Sequence, residues 1–467
     1  MAKQIGVLQF PFLAFGHIMP HFQLAVALAN SGVHVYFVST PKNLQRLPPF
    51  PPSLSSLITP LPLPLPKLHD GSLLPEGAEA TMDLPLDKVP FLEMALDLAE
   101  PSFRKLVADL PNPPDWFIVD FHATWICNVA RDLQIPTLFF NVISTGFLAF
   151  MENVFRDGFP DIHKLTTPMK LDGVESAVSF RRFEAAAMIS EFPVKNVTGM
   201  SVHDRLGKII AASKAILLRA CYESDRHYLN FYSEACGKKV VPLGFLPPEK
   251  PQKTEFSVDS PWKSNFEWLD KQNPKSVVFV GFGSECRLTK DQVHKIARGL
   301  ELSDLPFLWS LRKPRWAAED DSDVVPVGFQ DRTAGRGIVC MGWAPQMEIL
   351  GHPAIGGCFF HGGWGSAIEA LQFGHCLVLL PFIIDQPLCA RLLVEKGVGV
   401  EVEREEADGL FSGEAIAKAL RKALVSEEGE KIRRNAKEAA AIFGDRKLQQ
   451  QYIDHFVEFL KMENIPK

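Results

Sequence analysis

The sequence predicts an α/β protein with two domains, each built around a parallel sheet. In both halves of the chain short apolar runs alternate with helical segments, beginning with residues 5–10 and again with residues 276–280. Such alternation favours parallel strands, because a helix must carry the chain back between neighbouring strands. Between the halves, residues 246–261 combine four prolines with several charges, which is typical of a linker.

These signals divide the chain into an N-terminal domain (1–246), a linker (247–261), a C-terminal domain (262–445) and a final helix (446–467). The final helix is predicted to be amphipathic. Its apolar stripe is formed by Tyr452, Ile453, Phe456, Val457 and Leu460.

Proline positions set the expected bounds of elements in the N-terminal domain. Residues 12–20 are predicted to form a loop and residues 22–30 a short helix. Residues 47–66 are so rich in proline that we interpret them as a surface loop without regular structure. Residues 91–110 are predicted to be helical, with a break or kink at Pro101.

Composition excludes several classes of protein. The 467 residues carry a formal net charge of -6, which argues against nucleic-acid binding. Eight cysteines occur without a C-x-x-C pair, so neither a zinc site nor a disulfide framework is indicated, and free thiols in a reducing compartment are expected. No apolar run reaches the ~18 residues that a membrane span needs. We therefore expect a cytoplasmic protein without a membrane span, and we expect it to be a monomer.

A strand, a glycine-rich turn and a helix follow one another around residue 361. The apolar run 355–361 is typical of a buried strand, and residues 367–373 are predicted to be helical. This arrangement predicts an anion site, because the backbone N–H groups and the helix dipole point at the ligand. Ser366 can add a hydroxyl donor and His361 a ring N–H. Glu369, one turn further on, is placed to accept from sugar hydroxyls.

Polar residues flank this predicted anion site on both sides. A second apolar strand, 376–381, leads to Asp385 and Gln386, where α/β sheets bind ligands. Upstream, Trp343 offers a flat face for a base, a contact worth ~1–3 kcal/mol. Together these parts suit a nucleotide diphosphate that carries a polar, uncharged group.

Two residues of the N-terminal domain form a candidate catalytic pair. His17 follows the first strand and Asp120 ends another, so both side chains are expected at one edge of the sheet. An imidazole can take a proton from a hydroxyl, and a carboxylate on its far nitrogen stabilises the imidazolium. Two other interpretations stay open: a structural histidine, and an N-cap role for Asp120. His122 is a weaker candidate for the base.

Residues 343–386 closely resemble the donor-binding box of plant family-one UDP-dependent glycosyltransferases. The resemblance implies that Trp343 stacks on uracil, Gln346 and Glu369 bind the ribose, His361 and Ser366 hold the diphosphate, and Asp385 with Gln386 holds the sugar hydroxyls. Ser284, Ala344, Trp364 and Gly365 complete the donor site that it implies. The usual turn is His-Cys-Gly-Trp-Asn-Ser, whereas here Gly362 replaces the cysteine and Gly365 the asparagine. The asparagine amide normally reaches a phosphate oxygen, so at Gly365 only a backbone N–H remains.

The resemblance also implies the fold and the reaction. The fold is GT-B, with two Rossmann-like domains facing each other across a cleft and the last helix returning to the N-terminal domain. His17 would deprotonate an acceptor hydroxyl with support from Asp120, and the oxygen would displace UDP with inversion of configuration. UDP-sugar is the co-substrate, and neither another cofactor nor a metal is expected. Residues 321–323 spell D-x-D, but the surrounding acidic run is typical of a solvated loop.

Four further stretches resemble one branch of this family, which attaches a sugar to a sugar already on a terpenoid, steviol, saponin or flavonoid. They are residues 13–17, 37–41, 283–285 and 311–314. Members of that branch use UDP-glucose or UDP-rhamnose, and Asp385 with Gln386 suits glucose. A glucose donor and a small-molecule glycoside acceptor are therefore expected. A rhamnose donor or an aglycone acceptor is the alternative, and residues 81–91 and 147–182 are expected to shape the acceptor pocket.

Three other functions are weighed against this one. A nicotinamide-dependent oxidoreductase is disfavoured because the G-x-G-x-x-G pattern at Gly281 has Cys286 in place of its third glycine. An α/β-hydrolase esterase lacks the G-x-S-x-G nucleophile turn. A non-catalytic UDP-sugar-binding protein would not need both His17 and Asp120.

Overall fold

The computed structural model describes residues 4–171, 174–250, 262–318 and 323–463. The chain divides into two compact units. Unit 1 comprises Met1–Glu152, Ala187–Leu246 and Arg446–Lys467, and unit 2 comprises Asn153–Ala186 and Pro247–Asp445. Most of the predicted linker, residues 251–261, lies outside the described residues.

The strands follow the buried apolar runs of the sequence. They are β1 Gly6–Phe10, β2 His34–Ser39, β3 Ile58–Pro62, β4 Trp116–Val119, β5 Thr137–Asn141, β6 Lys170–Leu171, β7 Val174–Glu175, β8 Ala215–Leu218, β9 Lys239–Pro242, β10 Val277–Gly281, β11 Phe307–Leu311, β12 Gly337–Met341, β13 Ile355–Phe360, β14 Cys376–Leu379 and β15 Gly399–Glu401.

The helices connect these strands and cover the sheets. They are α1 Phe15–Asn30, α2 Pro41–Arg46, α3 Val89–Asp97, α4 Glu100–Ala108, α5 Ile126–Asp132, α6 Thr145–Phe155, α7 Ile162–Thr166, α8 Arg182–Glu191, α9 Val202–Ala212, α10 Tyr222–Ala235, α11 Lys263–Leu269, α12 Lys290–Ser303, α13 Phe329–Arg332, α14 Gln346–Leu350, α15 Trp364–Leu371, α16 Gln386–Glu395, α17 Gly413–Leu424, α18 Glu430–Phe443 and α19 Arg446–Glu463. Single 3-10 turns lie at Pro52–Leu54, Thr81–Asp83 and Leu86–Lys88.

Unit 1 is built on a seven-stranded sheet with the order β3-β2-β1-β4-β5-β8-β9, in which every pair is parallel. One face of this sheet packs against α1 and α19. Its core includes Val7, Trp116, Ile18, Ile453 and Phe456. Strands buried on both faces need apolar side chains at nearly every position, which explains their continuous hydrophobic runs.

Unit 2 is built on a six-stranded parallel sheet with the order β12-β11-β10-β13-β14-β15. Its helices α12 and α17 approach each other closely at Gly299. A Cβ added at Gly299 would lie 2.5 Å from the Ile416 side chain, so only glycine allows this packing. Among the described residues, no helix is both long and apolar enough to cross a membrane.

The two sheets share one pattern of strand order. Each starts at an inner strand, grows outward on one side, and then continues on the other side of that strand. In unit 1 the reversal lies between β1 and β4, and in unit 2 between β10 and β13. Open α/β sheets bind ligands at the carboxyl ends of the strands that flank this reversal.

Two sequence-based expectations about element bounds were wrong, and a third was confirmed. Residues 58–62 form strand β3 rather than loop, because β3 is the edge of its sheet and an edge strand tolerates proline. Helix α1 begins at Phe15 and runs through Pro20, so His17 lies in its first turn rather than in a loop. The break near Pro101 is confirmed, since α3 ends at Asp97 and α4 begins at Glu100.

Residues 153–186 belong to unit 2, although the sequence assigns them to the N-terminal domain. Charged contacts with late parts of the chain explain this. Glu184 pairs with Arg391 at 3.0 Å, and the Glu395 carboxylate accepts hydrogen bonds from Ser176 Oγ and the Ala177 N–H. These partners are separated by about two hundred residues in sequence, so neither periodicity nor composition indicates them.

Candidate active site

His17 and Asp120 lie beside each other at the reversal of the unit 1 sheet. His17 Nδ1 is 2.8 Å from Asp120 Oδ2. The aspartate directly follows β4 and is only 4% exposed, whereas the histidine side chain is 19% exposed. Backbone N–H groups of Phe121 and Phe12 also donate to the carboxylate, at 2.8 and 3.2 Å. The carboxylate is therefore fixed in place, and the imidazole is partly accessible.

The charge of Asp120 is stabilised in spite of its burial. Burial raises the pKa of this carboxyl, but the charge and hydrogen bond of His17, together with His21 and the Phe121 N–H, lower its pKa to about 2. Asp120 is therefore ionised throughout the physiological range. An ionised carboxylate on Nδ1 favours the tautomer in which Nε2 accepts a proton, and it stabilises the resulting imidazolium.

His21 is a second imidazole near Asp120, and sequence reasoning missed it. Its Nε2 lies 3.7 Å from Asp120 Oδ2, and its ring packs edge-on against Phe140. Burial lowers the pKa of His21 to about 4, partly offset by Asp120, so the ring is neutral at neutral pH. The i,i+4 spacing from His17 on one helix is the signal that places both rings on the same face.

His122 is held in a buried network and is not positioned as a base. Its Nε2 is 2.9 Å from a carboxylate oxygen of Glu93, and its ring stacks on Phe12 with centroids 3.8 Å apart. The side-chain amide of Asn196 donates to the same carboxylate at 2.7 Å. The N–H of Phe12, on whose ring His122 stacks, donates to Asp120, so His122 is linked to this aspartate indirectly, through Phe12.

His361 directly follows β13 at the matching reversal of the unit 2 sheet. Burial lowers its pKa to about 4, so the imidazole is neutral at neutral pH. Glycines enclose the ring: a Cβ at Gly283 would lie 2.9 Å from Cε1, and one at Gly363 would lie 2.5 Å from Nε2. Within the described part of the chain, the buried Nδ1 has no hydrogen-bond partner. A neutral imidazole that is enclosed by glycines can donate one hydrogen bond to a ligand.

Helix α15 begins immediately after His361 and Gly363. Gly363 provides no side-chain cap, so the first N–H groups of the helix are available to an anion. Gly365 and Ser366 lie in this first turn. Trp364 is only 2% exposed and its ring packs against Phe443, so its side chain cannot contact a ligand. If Trp364 contacts the donor, as the family resemblance implies, it can do so only through its backbone N–H.

Trp343, Gln346 and Glu369 present groups suited to a nucleoside. Trp343 is 74% exposed and Ala344 is nearly buried beside it. Gln346, the first residue of α14, donates from Nε2 to Glu369 Oε2 at 2.5 Å. The structure thus brings together the two residues that the family resemblance assigns to the ribose.

The loop between β14 and α16 carries Asp385 and Gln386. Gln386 Oε1 accepts from the backbone N–H groups of Phe382 and Ile383, at 3.0 and 3.1 Å. Its amide orientation is therefore fixed by its own loop, and Nε2 is the group that can donate to a ligand. Asp385 is half-buried directly before it, and Ile384 adopts a positive φ of 54°.

Ser284 follows β10 in a turn where Gly283 has a φ of +71°. Ser284 is half-buried, and its carbonyl accepts a hydrogen bond from Arg312. This turn lies next to His361, because β10 and β13 are neighbours in the sheet. The hydroxyl of Ser284 is therefore placed near the same strand ends as His361.

The D-x-D stretch is only partly visible, since Asp321 and Ser322 lie outside the described residues. Asp323 accepts from Lys290 Nζ at 3.0 Å and from the Ala318 N–H at 2.9 Å. In the part of the chain that the structure describes, no group of three or more histidine, cysteine, aspartate or glutamate residues is arranged to hold a metal ion.

Comparison with known proteins identifies the family. A family model described as "UDP-glucoronosyl and UDP-glucosyl transferase" matches residues 256–459. UDP-glycosyltransferase 91D2 of Stevia rebaudiana is 38% identical over 98% of this chain and 95% of its own length. Soyasaponin III rhamnosyltransferase of Glycine max is 38% identical over 99% of this chain and 97% of its own length.

Solved structures agree with this assignment at the level of the fold. A UDP-glucosyltransferase from Polygonum tinctorium superposes with a TM-score of 0.78 at 23% identity, covering 99% of this chain and all of that one. A Glycyrrhiza uralensis enzyme, UGT73P12, gives a TM-score of 0.82 at 23% identity over 98% of this chain and 96% of that one. The expected GT-B fold with two Rossmann-like domains is confirmed. The chain belongs to the plant UDP-glycosyltransferase family, whose enzymes use UDP-sugars as co-substrates.

Proposed function

We propose that the protein is an inverting enzyme that transfers glucose from UDP-glucose to a sugar hydroxyl of a small-molecule glycoside. The observation that carries the catalytic part is the 2.8 Å contact between His17 and the buried Asp120 carboxylate. A partly accessible imidazole with an ionised orienting partner is suited to general-base catalysis on a hydroxyl.

The proposed step is a single displacement. His17 Nε2 takes the proton of the acceptor hydroxyl, and the oxygen forms a bond to the anomeric carbon. The bond between that carbon and the UDP oxygen breaks, and UDP leaves with the electron pair. Attack from the face opposite UDP inverts the configuration.

The charge that develops on UDP is proposed to be stabilised in unit 2. The first turn of α15, with the Gly365 N–H and the Ser366 hydroxyl, offers donors aligned with the helix dipole. Neutral His361 adds a ring N–H. Because these donors act on the diphosphate directly, we propose that transfer requires no metal, so chelation with EDTA should leave the rate unchanged.

The remaining contacts are proposed to select the nucleotide and the sugar. Trp343 stacks on uracil, and the linked pair Gln346 and Glu369 binds the ribose hydroxyls. Asp385 and the Nε2 group of Gln386 bind hydroxyls of the sugar. A carboxylate beside an amide suits a ring with several equatorial hydroxyls, which is the case for glucose.

A glycoside acceptor is supported by two observations. The stretches at residues 13–17, 37–41, 283–285 and 311–314 resemble the branch that adds sugar to sugar. The name of the Glycine max relative, soyasaponin III rhamnosyltransferase, gives a saponin, itself a glycoside, as acceptor. The same name gives rhamnose as the sugar, so UDP-rhamnose is the second candidate donor.

A donor and acceptor panel read by mass spectrometry tests this proposal. UDP-glucose and UDP-rhamnose are each supplied with a saponin, steviol or flavonoid aglycone and with its monoglucoside. We expect UDP-glucose to be used with strong preference for the monoglucosides. Equal or better turnover of the bare aglycones would refute the sugar-on-sugar assignment, and product only from UDP-rhamnose would replace the donor.

A further inference from the structure

Arg404 lies beneath the loop that carries Asp385 and Gln386. It follows β15 closely in sequence, and its guanidinium donates from Nη2 to the carbonyl of Pro381 at 2.5 Å. Pro381 is the second residue of the loop between β14 and α16. A hydrogen bond from a cation to a carbonyl is among the stronger ones in proteins, so it fixes the start of this loop.

Three phenylalanine rings surround the guanidinium of Arg404. Its central carbon lies 5.1 Å from the ring centroid of Phe382, 5.4 Å from that of Phe411 and 5.9 Å from that of Phe183. Phe382 belongs to the loop itself and also packs edge-on against Phe411. Cation–π contacts strengthen when the cation is desolvated, so this arrangement holds the ring of Phe382 as well as the carbonyl of Pro381.

A buried ionic network maintains the charge of Arg404. Burial lowers the pKa of Arg404 to about 10, against the opposing effect of Glu184 and Glu401, so it is a cation at neutral pH. Arg391 bridges both carboxylates, at 3.0 Å from Glu184 and 3.4 Å from Glu401. Arg181 adds a further contact to Glu401 at 3.3 Å.

Part of this network comes from residues 153–186, which overlap the stretch 147–182 that sequence reasoning assigned to the acceptor pocket. Arg181, Phe183 and Glu184 all come from residues 153–186. A Cβ at Gly409 would lie 2.5 Å from the Phe183 ring, so this ring packs closely against Gly409. The segment therefore packs directly against the support of the Asp385 loop.

We propose that Arg404 is a positioning residue for the donor sugar. By holding Pro381 and Phe382 it fixes the loop from which Asp385 and Gln386 reach the hydroxyls of a UDP-linked hexose, and Phe183 completes its enclosure. This inference rests on the proposed role of Asp385 and Gln386 in binding the sugar. Because Arg404 contacts Pro381 and Phe382 of this loop, its effect is expected on the sugar part of the donor.

Titration calorimetry with UDP and with UDP-glucose tests the proposal without an acceptor. In Arg404→Met the affinity for UDP should stay within about twofold of wild type, whereas the affinity for UDP-glucose should fall about tenfold, the size expected for losing a charged hydrogen bond. Arg404→Lys keeps the charge but not the planar fork, and should give a smaller loss in the same direction. Equal weakening of UDP and UDP-glucose, or no change in either, would overturn the proposal.

Arg433→Met is the matched control. Arg433 also donates to two backbone carbonyls in unit 2, those of Ala423 and Ser426, but neither belongs to the Asp385 loop. Its ratio of UDP to UDP-glucose affinity should equal that of wild type. If Arg404→Met does not fold, Phe183→Leu loosens the enclosure and leaves the bond to Pro381 in place. It should raise the same ratio to a smaller extent, and an unchanged ratio would count against the proposal.

The same measurements separate this inference from the proposed function. Affinities are recorded without acceptor, so a failure of wild type to glycosylate any monoglucoside would sink the sugar-on-sugar assignment alone. A wild-type enzyme that does transfer glucose, together with an unchanged affinity ratio in Arg404→Met, would sink the positioning role alone.

Discussion

The two sheets place different chemistry at the same two strand ends. In unit 1 the strands that flank the reversal lead to His17 and Asp120, and in unit 2 the corresponding strands lead to Gly283 with Ser284 and to His361. The first site joins an imidazole to a carboxylate at 2.8 Å. The second places an imidazole against glycine, with no room for a side chain at Gly283.

This difference determines what each histidine can do. Asp120 carries a charge that favours a protonated His17, so proton uptake during the reaction is stabilised. For His361 burial acts alone and lowers the pKa to about 4, so the ring stays neutral and serves as a hydrogen-bond donor. A histidine that follows a strand at the reversal is therefore suited to act as a base or to donate to an anion, according to whether a carboxylate lies beside it.

The largest expected effect comes from removing the imidazole of unit 1. His17→Ala deletes the base but leaves unit 2 intact, so turnover should fall by about 10²–10⁴, the usual contribution of a general base. UDP affinity should stay near wild type. Single-turnover kinetics at saturating donor, together with UDP calorimetry, measure both quantities.

Asp120→Asn provides the control for that comparison. The imidazole remains but loses its orienting charge, so the loss of turnover should be smaller than in His17→Ala. The double variant should be little worse than His17→Ala, because residues that act as a unit are not additive. Near-normal turnover in a folded His17→Ala would end the catalytic assignment, and the buried pairing of His122 with Glu93 makes that histidine a poor substitute.

The next effect concerns the imidazole of unit 2. His361→Ala removes the hydrogen bond that we propose to a charged phosphate, worth about 1.5–3 kcal/mol, so UDP affinity should fall roughly tenfold to a hundredfold. Calorimetry of His361→Ala and His17→Ala side by side makes the comparison sharp. UDP binding as tight as in wild type would mean that His361 is only a packing residue.

Acid stability offers a third and smaller difference. The pKa of His361 is about 4 in the folded protein against an ordinary value of 6.5, so the unfolded chain binds an extra proton between these values. The contribution of neutral His361 to the free energy of unfolding is fully present above pH 6.5 and declines as the pH falls toward 4. Between pH 7.5 and 5 the free energy of unfolding should therefore decrease less in His361→Asn than in wild type. The difference between the two decreases should be on the order of 2 kcal/mol.

Urea unfolding at the two pH values measures this difference. Asp120 affects the free energy of unfolding in a lower pH range, because its pKa is about 2 in the folded protein against an ordinary value of 3.8. Its contribution is present above about pH 4 and disappears as the pH falls through 2. The neutral state assigned to His361 would be contradicted if the free energy of unfolding decreased equally in His361→Asn and wild type between pH 7.5 and 5.

Local patterns in the sequence account for the sheets and for much of the site. Strand ends could be assigned from apolar runs, and parallel topology then predicts that His17 and Asp120 share an edge. Contacts between distant segments carry no such signal. The Glu184–Arg391 pair, the Glu93 partner of His122 and the bond from Arg404 to Pro381 each depend on tertiary packing. Proline misled the assignment of β3, because its effect depends on whether a strand is central or at an edge.

The smallest expected effect tests the anion site through Gly365. This glycine lies in the first turn of α15 and is absent from the positive-φ glycines of the chain, so an L side chain fits the backbone there. Gly365→Asn restores the amide that the family turn carries, next to the N–H groups proposed to hold the diphosphate. UDP affinity should rise by about threefold to tenfold, as for one added hydrogen bond. Gly365→Ala, measured in the same calorimetric series, separates the amide from the general preference of helices for residues other than glycine. Weaker UDP binding in Gly365→Asn, with binding unchanged in Gly365→Ala, would show that an amide at this position does not reach the phosphates.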